Sequence, residues 1–207
     1  ALPTLDRSRY APAAGLLRGG YVLADAQQHD PQRFKDRALQ VILIASGSEV
    51  ALAVEAYERL LSEGIAARVV SLPCWELFEH QSAEYKDSVL PATVTARIAI
   101  EQASAFGWAR YIGSDGVSIN MKTFGASAPL KELQRRFGFA PENIVTAAKE
   151  QVKAEREQTK RLQKIAKLQA EIAALAEVLP SRERLILTRL QLENLVDAEN
   201  GVLRVDG

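Results

Sequence analysis

One short turn carries the residue types best suited to hold an anion. Ser46, Gly47 and Ser48 stand between an apolar run and a segment with helical apolar spacing. Free backbone N–H groups at a helix start, together with the helix dipole, attract a phosphate or carboxylate. The turn lacks the lysine of a P-loop and the three glycines of a dinucleotide fingerprint. A helix start that binds nothing, with a Ser46–Glu49 capping box or with Ser48 as N-cap, therefore remains the competing interpretation.

A second segment adds a cation and a hydroxyl that suit the same kind of ligand. Lys122 and Ser127 flank Gly125, and glycine permits close backbone approach. The segment Phe106-Gly107-Trp108 has a similar glycine beside aromatic residues. The alternative, which we favour, is that these loops pack against a partner surface. The candidate anion or regulatory site thus comprises Ser46, Gly47, Ser48, Lys122 and Ser127.

Few other residues could act as a nucleophile or as a metal ligand. Cys74 lies in a hydrophobic segment near His80, but no thiol-hydrolase signature surrounds it, so we predict a buried, inert thiol. Three carboxylates near His80 lack the spacing of zinc ligands and are interpreted as solvated charges: Glu76, Glu79 and Glu84. The residues alone therefore predict no catalytic residue, no cofactor-binding residue and no metal ligand in this chain.

Composition narrows the class of protein. The 207 residues are 47% hydrophobic and 25% charged, which is typical of a soluble globular chain. Lys plus Arg and Asp plus Glu are both 26, and this zero net charge argues against nucleic-acid binding. No apolar run is long enough for a membrane span, and one cysteine excludes an internal disulfide. The start at Ala1 has no signal-peptide pattern and is typical of a chain cut from something longer, and we expect a cytoplasmic location.

The elements that would position these residues follow an α/β pattern. Residues 39–45 predict a strand buried on both faces, which is followed by a helix that Gly64 ends and by a strand at 68–72. This βαβ unit requires a right-handed crossover. Further predicted elements are a strand at 97–101, a weak strand or loop at 117–119, a helix at 128–137 and another from 141. The pattern predicts a small open α/β sheet with helices on both faces.

Changes in composition divide the chain into three parts. Residues 1–38 are predicted to form a linker arm with one short strand at 21–23, and residues 39–152 the α/β domain. Residues 153–207 predict a helical extension, because apolar residues recur at intervals of three and four along this seam: Leu162, Ile165, Leu168, Ile172, Leu175 and Leu179. A break at Pro180-Ser181 and a second apolar series at 185–195 favour a helical hairpin, or the start of a further domain with a turn at Asn200-Gly201.

Four motifs resemble one protein family. They are LIASGSEV at 43–50, SLPCWELF at 71–78, EQASAFGW at 101–108 and KTFGASAPLK at 122–131. In this order they resemble the C-terminal domain of bacterial-type transketolases, and LPTLDR at 2–7 resembles the linker before it. The resemblance covers residue 1 to about residue 152, whereas the tail 153–207 matches no family that we recognise. It implies a mostly parallel, mixed sheet with helices on both faces, followed here by the helical extension.

The resemblance also implies what the parent protein does. Transketolases transfer a two-carbon ketol unit between sugar phosphates in the pentose phosphate pathway, using thiamine diphosphate and Mg²⁺. Their cofactor, metal and catalytic sites lie in two preceding domains, so none is implied for this chain. The implied role here is structural, in a cytoplasmic homodimer, with the N-terminal domains of the same transketolase as partners. A regulatory ligand site at the end of its sheet is sometimes suspected in this family.

Two other classes of function remain open at this point. The chain could be a stand-alone regulatory module that holds an anionic metabolite at 46–49 and 124–129. It could also be a structural interaction module that acts through its helical tail. Neither alternative predicts a membrane or a nucleic acid as partner.

Overall fold

The computed structural model describes the backbone of residues 3–178 and the side chains of residues 3–174. The chain divides into two compact units, Ala1–Glu155 and Arg156–Gly207, each of which is described by itself. The predicted break at Pro180-Ser181, the second tail helix and the turn at Asn200-Gly201 lie outside the described residues.

Strands and helices alternate along the first unit. The strands are β1 (Tyr21–Asp25), β2 (Val41–Ala45), β3 (Ala67–Ser71), β4 (Arg97–Glu101) and β5 (Val117–Asn120). The helices are α1 (Ala26–His29), α2 (Pro31–Phe34), α3 (Val50–Ser62), α4 (Trp75–Glu79), α5 (Ala83–Val89), α6 (Ala109–Ile112), α7 (Leu130–Phe137) and α8 (Pro141–Val178). Two 3-10 turns precede β1 and α3, at Ala13–Arg18 and Gly47–Glu49.

The five strands form one mixed sheet in the order β1-β3-β2-β4-β5. Strands β3, β2, β4 and β5 run parallel, and β1 pairs antiparallel with β3 at one edge. A register irregularity between Val22 and Ala24 interrupts the β1–β3 pairing. The predicted mostly parallel mixed sheet is confirmed, and the weak pattern at 117–119 is a true strand at the other edge.

Alternate residues of β2 pack into two separate hydrophobic cores, because successive side chains of a strand point to opposite faces of the sheet. On one face Val41 and Leu43 join a cluster with Tyr57 and Leu60 of α3. On the other face Ile42 and Ile44 join a cluster built from three short helices, α4, α5 and α6. Burying each large apolar side chain stabilises the fold by about 1.5–3 kcal/mol, so both faces contribute.

The sequence ahead of residue 39 packs closely on the sheet. Phe34 and Ala26 are fully buried in the same core as α3. Asp25 accepts a hydrogen bond from the Gln27 backbone N–H at the start of α1 and pairs with Arg68 of β3 at 2.7 Å. The predicted limits at 38/39 and 152/153 stay predictions, although β1 is part of the sheet.

Helix α8 begins at the predicted Pro141 and continues to Val178. In the first unit its buried side chains, Ile144, Ala148 and Val152, complete the core beside α3. Glu155 ends this unit and accepts a hydrogen bond from the Thr95 hydroxyl at 3.1 Å. Among the described helices, none has the length and apolarity that crossing a bilayer requires.

Candidate functional site

The carboxyl edge of the parallel strands gathers most of the candidate residues. In open α/β sheets this edge is where ligands usually bind. Ser46 follows β2, Glu101 ends β4, and the loop with Lys122 follows β5. Strand β4 lies between β2 and β5, so two groups of candidates are separated along this edge.

The first group is a serine turn that contains two carboxylates. The Ser46 hydroxyl donates to Glu101 Oε2 at 3.0 Å, and the Ser48 hydroxyl donates to Glu49 Oε1 at 2.8 Å. The Gln102 side-chain amide donates to the same Glu49 oxygen. Glu49 is only 5% exposed, so its charge is held largely out of water. Both hydroxyls predicted to bind an anion therefore already bind carboxylates.

This arrangement corrects the predicted helix start. Neither Ser46 nor Ser48 is the side-chain cap of α3, and the Ser46–Glu49 capping box is not formed. A 3-10 turn with Gly47 at φ +52° comes first, and α3 begins at Val50. The reason is that Glu49 and Glu101 compete successfully for the serine hydroxyls. The predicted end of the helix at Gly64 is confirmed. The Gly64 N–H donates to the Leu61 carbonyl, and Gly64 has a φ of +80°.

The two carboxylates of the serine turn disfavour the binding of an additional negative charge. Burial raises the pKa of Glu101, the Ser46 hydrogen bond opposes this, and the Glu49 charge reinforces it. An anionic ligand here would lie close to two carboxylates, and like charges repel. The anion site at Ser46, Gly47 and Ser48 stays a prediction, but the surrounding charges weigh against it.

The second group lies beyond β5. Lys122 and Arg136 line a cavity of about 680 Å³ between β5, its following loop and α7. Half-buried apolar side chains such as Ile119 and Phe137 form much of its wall. Ser127 is exposed and does not line this cavity. Lys122 and Ser127 thus remain predicted contacts that the fold places apart from Ser46.

The residues around Cys74 form no nucleophile pair. The thiol is partly exposed, which corrects the prediction of burial, and it faces Glu76 Oε2 at 3.5 Å. His80 Nδ1 instead contacts the Glu76 backbone oxygen at 2.6 Å. Glu79 is paired with Lys86 at 3.2 Å and is only one-third exposed. Within the part of the chain that the structure describes, no three His, Cys, Asp or Glu side chains are grouped to hold a metal ion.

The glycine of the segment 106–108 has a partner inside the molecule. Gly107 has φ +86°, and an added Cβ would lie 2.3 Å from the Trp75 ring. Trp75 packs edge-on against Trp108 and Tyr111, with ring centroids 5.1 and 5.3 Å apart. The predicted close approach at this glycine is therefore to Trp75 of the same chain. The arrangement fixes the backbone next to Phe106.

Two phenylalanine side chains stand out into solvent along the same carboxyl edge. Phe106 follows β4 and is 89% exposed, and Phe124 follows β5 and is 98% exposed. We call these two residues the phenylalanine edge. An added Cβ at Gly125, beside Phe124, would meet nothing within 4 Å. The sequence motifs indicated these loops, but only the fold shows that both aromatic rings lie at one edge of the sheet.

A family model for the Transketolase-like TK C-terminal domain matches residues 19–140. This chain belongs to the transketolase family. A transketolase from Halalkalibacterium halodurans is 47% identical over 148 residues, which cover 72% of this chain and 21% of that protein. Transketolase 1 of Escherichia coli is 47% identical over 137 residues, covering 66% of this chain and 19% of the relative.

A solved transketolase has the same fold. The structure of the Pichia stipitis transketolase in complex with sedoheptulose-7-phosphate matches 75% of this chain with a TM-score of 0.63 and 36% identity. The match covers 21% of that protein. The chain thus spans about a fifth of the length of the transketolases that it matches.

Thiamine diphosphate, the cofactor that the family implies, requires a divalent metal held by oxygen ligands beside its diphosphate. Glu49 and Glu101 are the two carboxylates at the serine turn, but Glu49 is only 5% exposed, and donors from Ser46, Ser48 and Gln102 already contact their oxygens. Among the described residues, no third His, Cys, Asp or Glu side chain joins them to complete a metal site. The described residues therefore do not fit this cofactor.

Proposed function

We propose that this chain is the C-terminal part of a transketolase and serves it as a non-catalytic assembly domain. The parent enzyme would transfer a two-carbon ketol unit between sugar phosphates with thiamine diphosphate and Mg²⁺ held by its other domains. The observation that carries the proposal is the match to the C-terminal domain model over residues 19–140, within an aligned segment that covers about a fifth of the relatives' length. A cytoplasmic homodimer in the pentose phosphate pathway is the expected setting.

The phenylalanine edge supports an assembly role. An aromatic side chain carries 150–250 Å² of surface, and leaving two such rings in water is unfavourable. Exposed aromatic side chains at one edge are typical of protein interfaces. We infer that Phe106 and Phe124 dock against the preceding domains of the parent or against its second subunit.

The residues next to Phe106 anchor its loop to the core. Gly107 packs against Trp75, and Trp108 is 2% exposed in the core below. A rigid loop loses little conformational freedom on binding, which favours affinity. The same rigidity supports docking over a mobile ligand-closing role for this loop.

The docking proposal is tested with a transketolase from which the matching C-terminal part has been removed. Transketolase 1 of E. coli, truncated in this way, is mixed with the 207-residue chain, and complex formation is measured by sedimentation velocity. We expect a complex. The double variant Phe106→Asp, Phe124→Asp should bind at least about 100-fold more weakly, because two desolvated aromatic contacts are each lost at roughly 1.4 kcal/mol or more.

Leu17 provides a matched control. It is 82% exposed and lies in the turn before β1, the outer strand at the opposite side of the sheet from β5. Leu17→Asp removes an exposed apolar side chain and adds the same charge, and it should leave the affinity within about threefold of the wild type. Equal weakening by Leu17→Asp and by the double variant would contradict docking through the phenylalanine edge.

A further inference from the structure

The second unit exposes an apolar stripe along α8. Leu162 is 58% exposed and Leu168 is 43% exposed, and Ile165 and Ile172 are partly exposed beside them. Spacings of three, three and four residues place these side chains on one face of the helix. A long helix with large aliphatic groups in water gains stability when a second surface covers that face.

The residue types on the stripe follow a heptad pattern. Ile165 and Ile172 occupy successive a positions, and Leu168 occupies the d position between them. Leu175 falls at the next d position, within the helical backbone that ends at Val178. Within parallel coiled coils, β-branched Ile at a with Leu at d favours two strands over three or four.

Charges beside the stripe select the same orientation. In a parallel pair, Lys164 and Glu171 at the g positions face Gln169 and Ala176 at the partner's e positions, so like charges do not meet. An antiparallel pair that keeps the Ile and Leu layers in contact would bring the two Glu171 carboxylates together. The charges along the helix therefore favour pairing with a second copy of α8 in the parallel orientation.

We propose that α8 of this chain pairs with α8 of a second copy in a short parallel coiled coil. Ile165, Leu168 and Ile172 form its buried seam, and Leu162 flanks it at an e position. Each residue meets its own counterpart, which is the geometry of a two-fold symmetric interface. This inference concerns the tail beyond the family match and does not depend on the proposed function.

Sedimentation of the full 207-residue chain tests the pairing. We expect a reversible dimer of two 22.7 kDa chains at micromolar concentration. Ile165→Asp and Leu168→Asp should each weaken dimerisation at least about 100-fold, because each places a carboxylate in a dry seam. Circular dichroism shows whether the α/β unit of each variant remains folded.

The control variant is Ala170→Asp, which adds the same charge on the opposite side of the helix. Ala170 is exposed and occupies an f position, away from the seam. Its dimerisation should stay within about threefold of the wild type. A monomeric wild type would overturn the proposal, because a segment of the same chain or another protein would then cover the stripe. So would a dimer that survives Leu168→Asp.

Disulfide formation tests the parallel orientation separately. In a Cys74→Ser background, Leu168→Cys should form a disulfide-linked dimer on mild oxidation, since symmetric d positions lie within disulfide reach. Ala170→Cys should cross-link at least about tenfold more slowly, because the two f positions point away from each other. Equal cross-linking at 168 and 170, or none at 168, would overturn the parallel pairing.

Discussion

At the scale of single residues, the structure explains why position 107 requires glycine, which the motif alone does not reveal. Its φ of +86° is unfavourable for any residue with a Cβ, and the Trp75 ring fills the space where that atom would lie. Gly125 stands in an equally aromatic motif, but nothing lies within 4 Å of its missing side chain. Similar sequence patterns therefore serve close packing in one loop and exposure in the other.

This difference gives a prediction with an internal control. Gly107→Ala should lower the free energy of unfolding by about 2–4 kcal/mol, since it adds backbone strain and a clash with Trp75. Gly125→Ala should change it by less than about 0.5 kcal/mol. Urea denaturation of both variants measures these values. A tolerated Gly107→Ala would mean that Trp75 does not occupy the position described.

Glu101 gives a prediction for pH dependence. Burial raises its pKa in the folded chain, so the folded state disfavours the charged form. The wild type should lose stability as pH rises from the unfolded pKa of about 4.3 through the raised folded value. Glu101→Gln keeps an oxygen to accept the Ser46 hydroxyl and removes the charge. It should therefore be more stable than the wild type at pH 7.

The higher stability of Glu101→Gln should disappear near pH 4, because Glu101 of the wild type is then largely protonated in both the folded and the unfolded state. Urea denaturation at pH 4 and pH 7 measures the difference. Glu150→Gln, at an exposed position inside α8, is the matched control and should show little change at either pH. A Glu101→Gln variant less stable than wild type at pH 7 would show that the charged carboxylate is favoured in the fold.

At the scale of elements, the parallel strands were predictable because burial on both faces demands continuous apolar runs. The apolar run at 41–45 and the apolar centre of 97–101 at Ile98–Ile100 left little choice, and β2 and β4 lie there. The packing of α1 and α2 was not predictable from their pattern. Their burial depends on β1 pairing with β3 and on the Asp25–Arg68 ion pair, which join residues far apart in sequence.

The candidate site was predictable only in part. The serine turn lies at the carboxyl edge of the sheet as the strand-to-helix pattern predicts. Its capping box failed because Glu101, on a strand that is distant in sequence, accepts the Ser46 hydroxyl. Side-chain partners across neighbouring parallel strands depend on sheet order, which a local motif does not contain.

Helix α8 provides an element-scale prediction about where the α/β unit ends. A chain that stops after Glu155 keeps Ile144, Ala148 and Val152 in the core and should unfold within about 1 kcal/mol of the full chain. A chain that stops after Ala140 loses these side chains and should be destabilised by at least about 4 kcal/mol or fail to fold. Thermal and urea denaturation compare the two. Equal stability of both truncations would contradict the role of α8 in the core.

At the scale of the whole molecule, the chain combines a complete α/β core with an exposed apolar edge and no fitting cofactor site among its described residues. Phe106 and Phe124 are left in solvent while the interior on both sheet faces is well packed. The part of the chain that matches its relatives covers only about a fifth of their length. These features support the proposal that the chain is a domain of a larger enzyme.

The most direct test is a ketol-transfer assay of a chimera. The C-terminal part of E. coli transketolase 1 is replaced by this chain and compared with the intact enzyme, the truncated enzyme and this chain alone, all with thiamine diphosphate and Mg²⁺. We predict activity within about tenfold of the intact enzyme for the chimera, and none for this chain alone. Activity of the isolated chain, or a folded chimera no more active than the truncated enzyme, would contradict the proposed role.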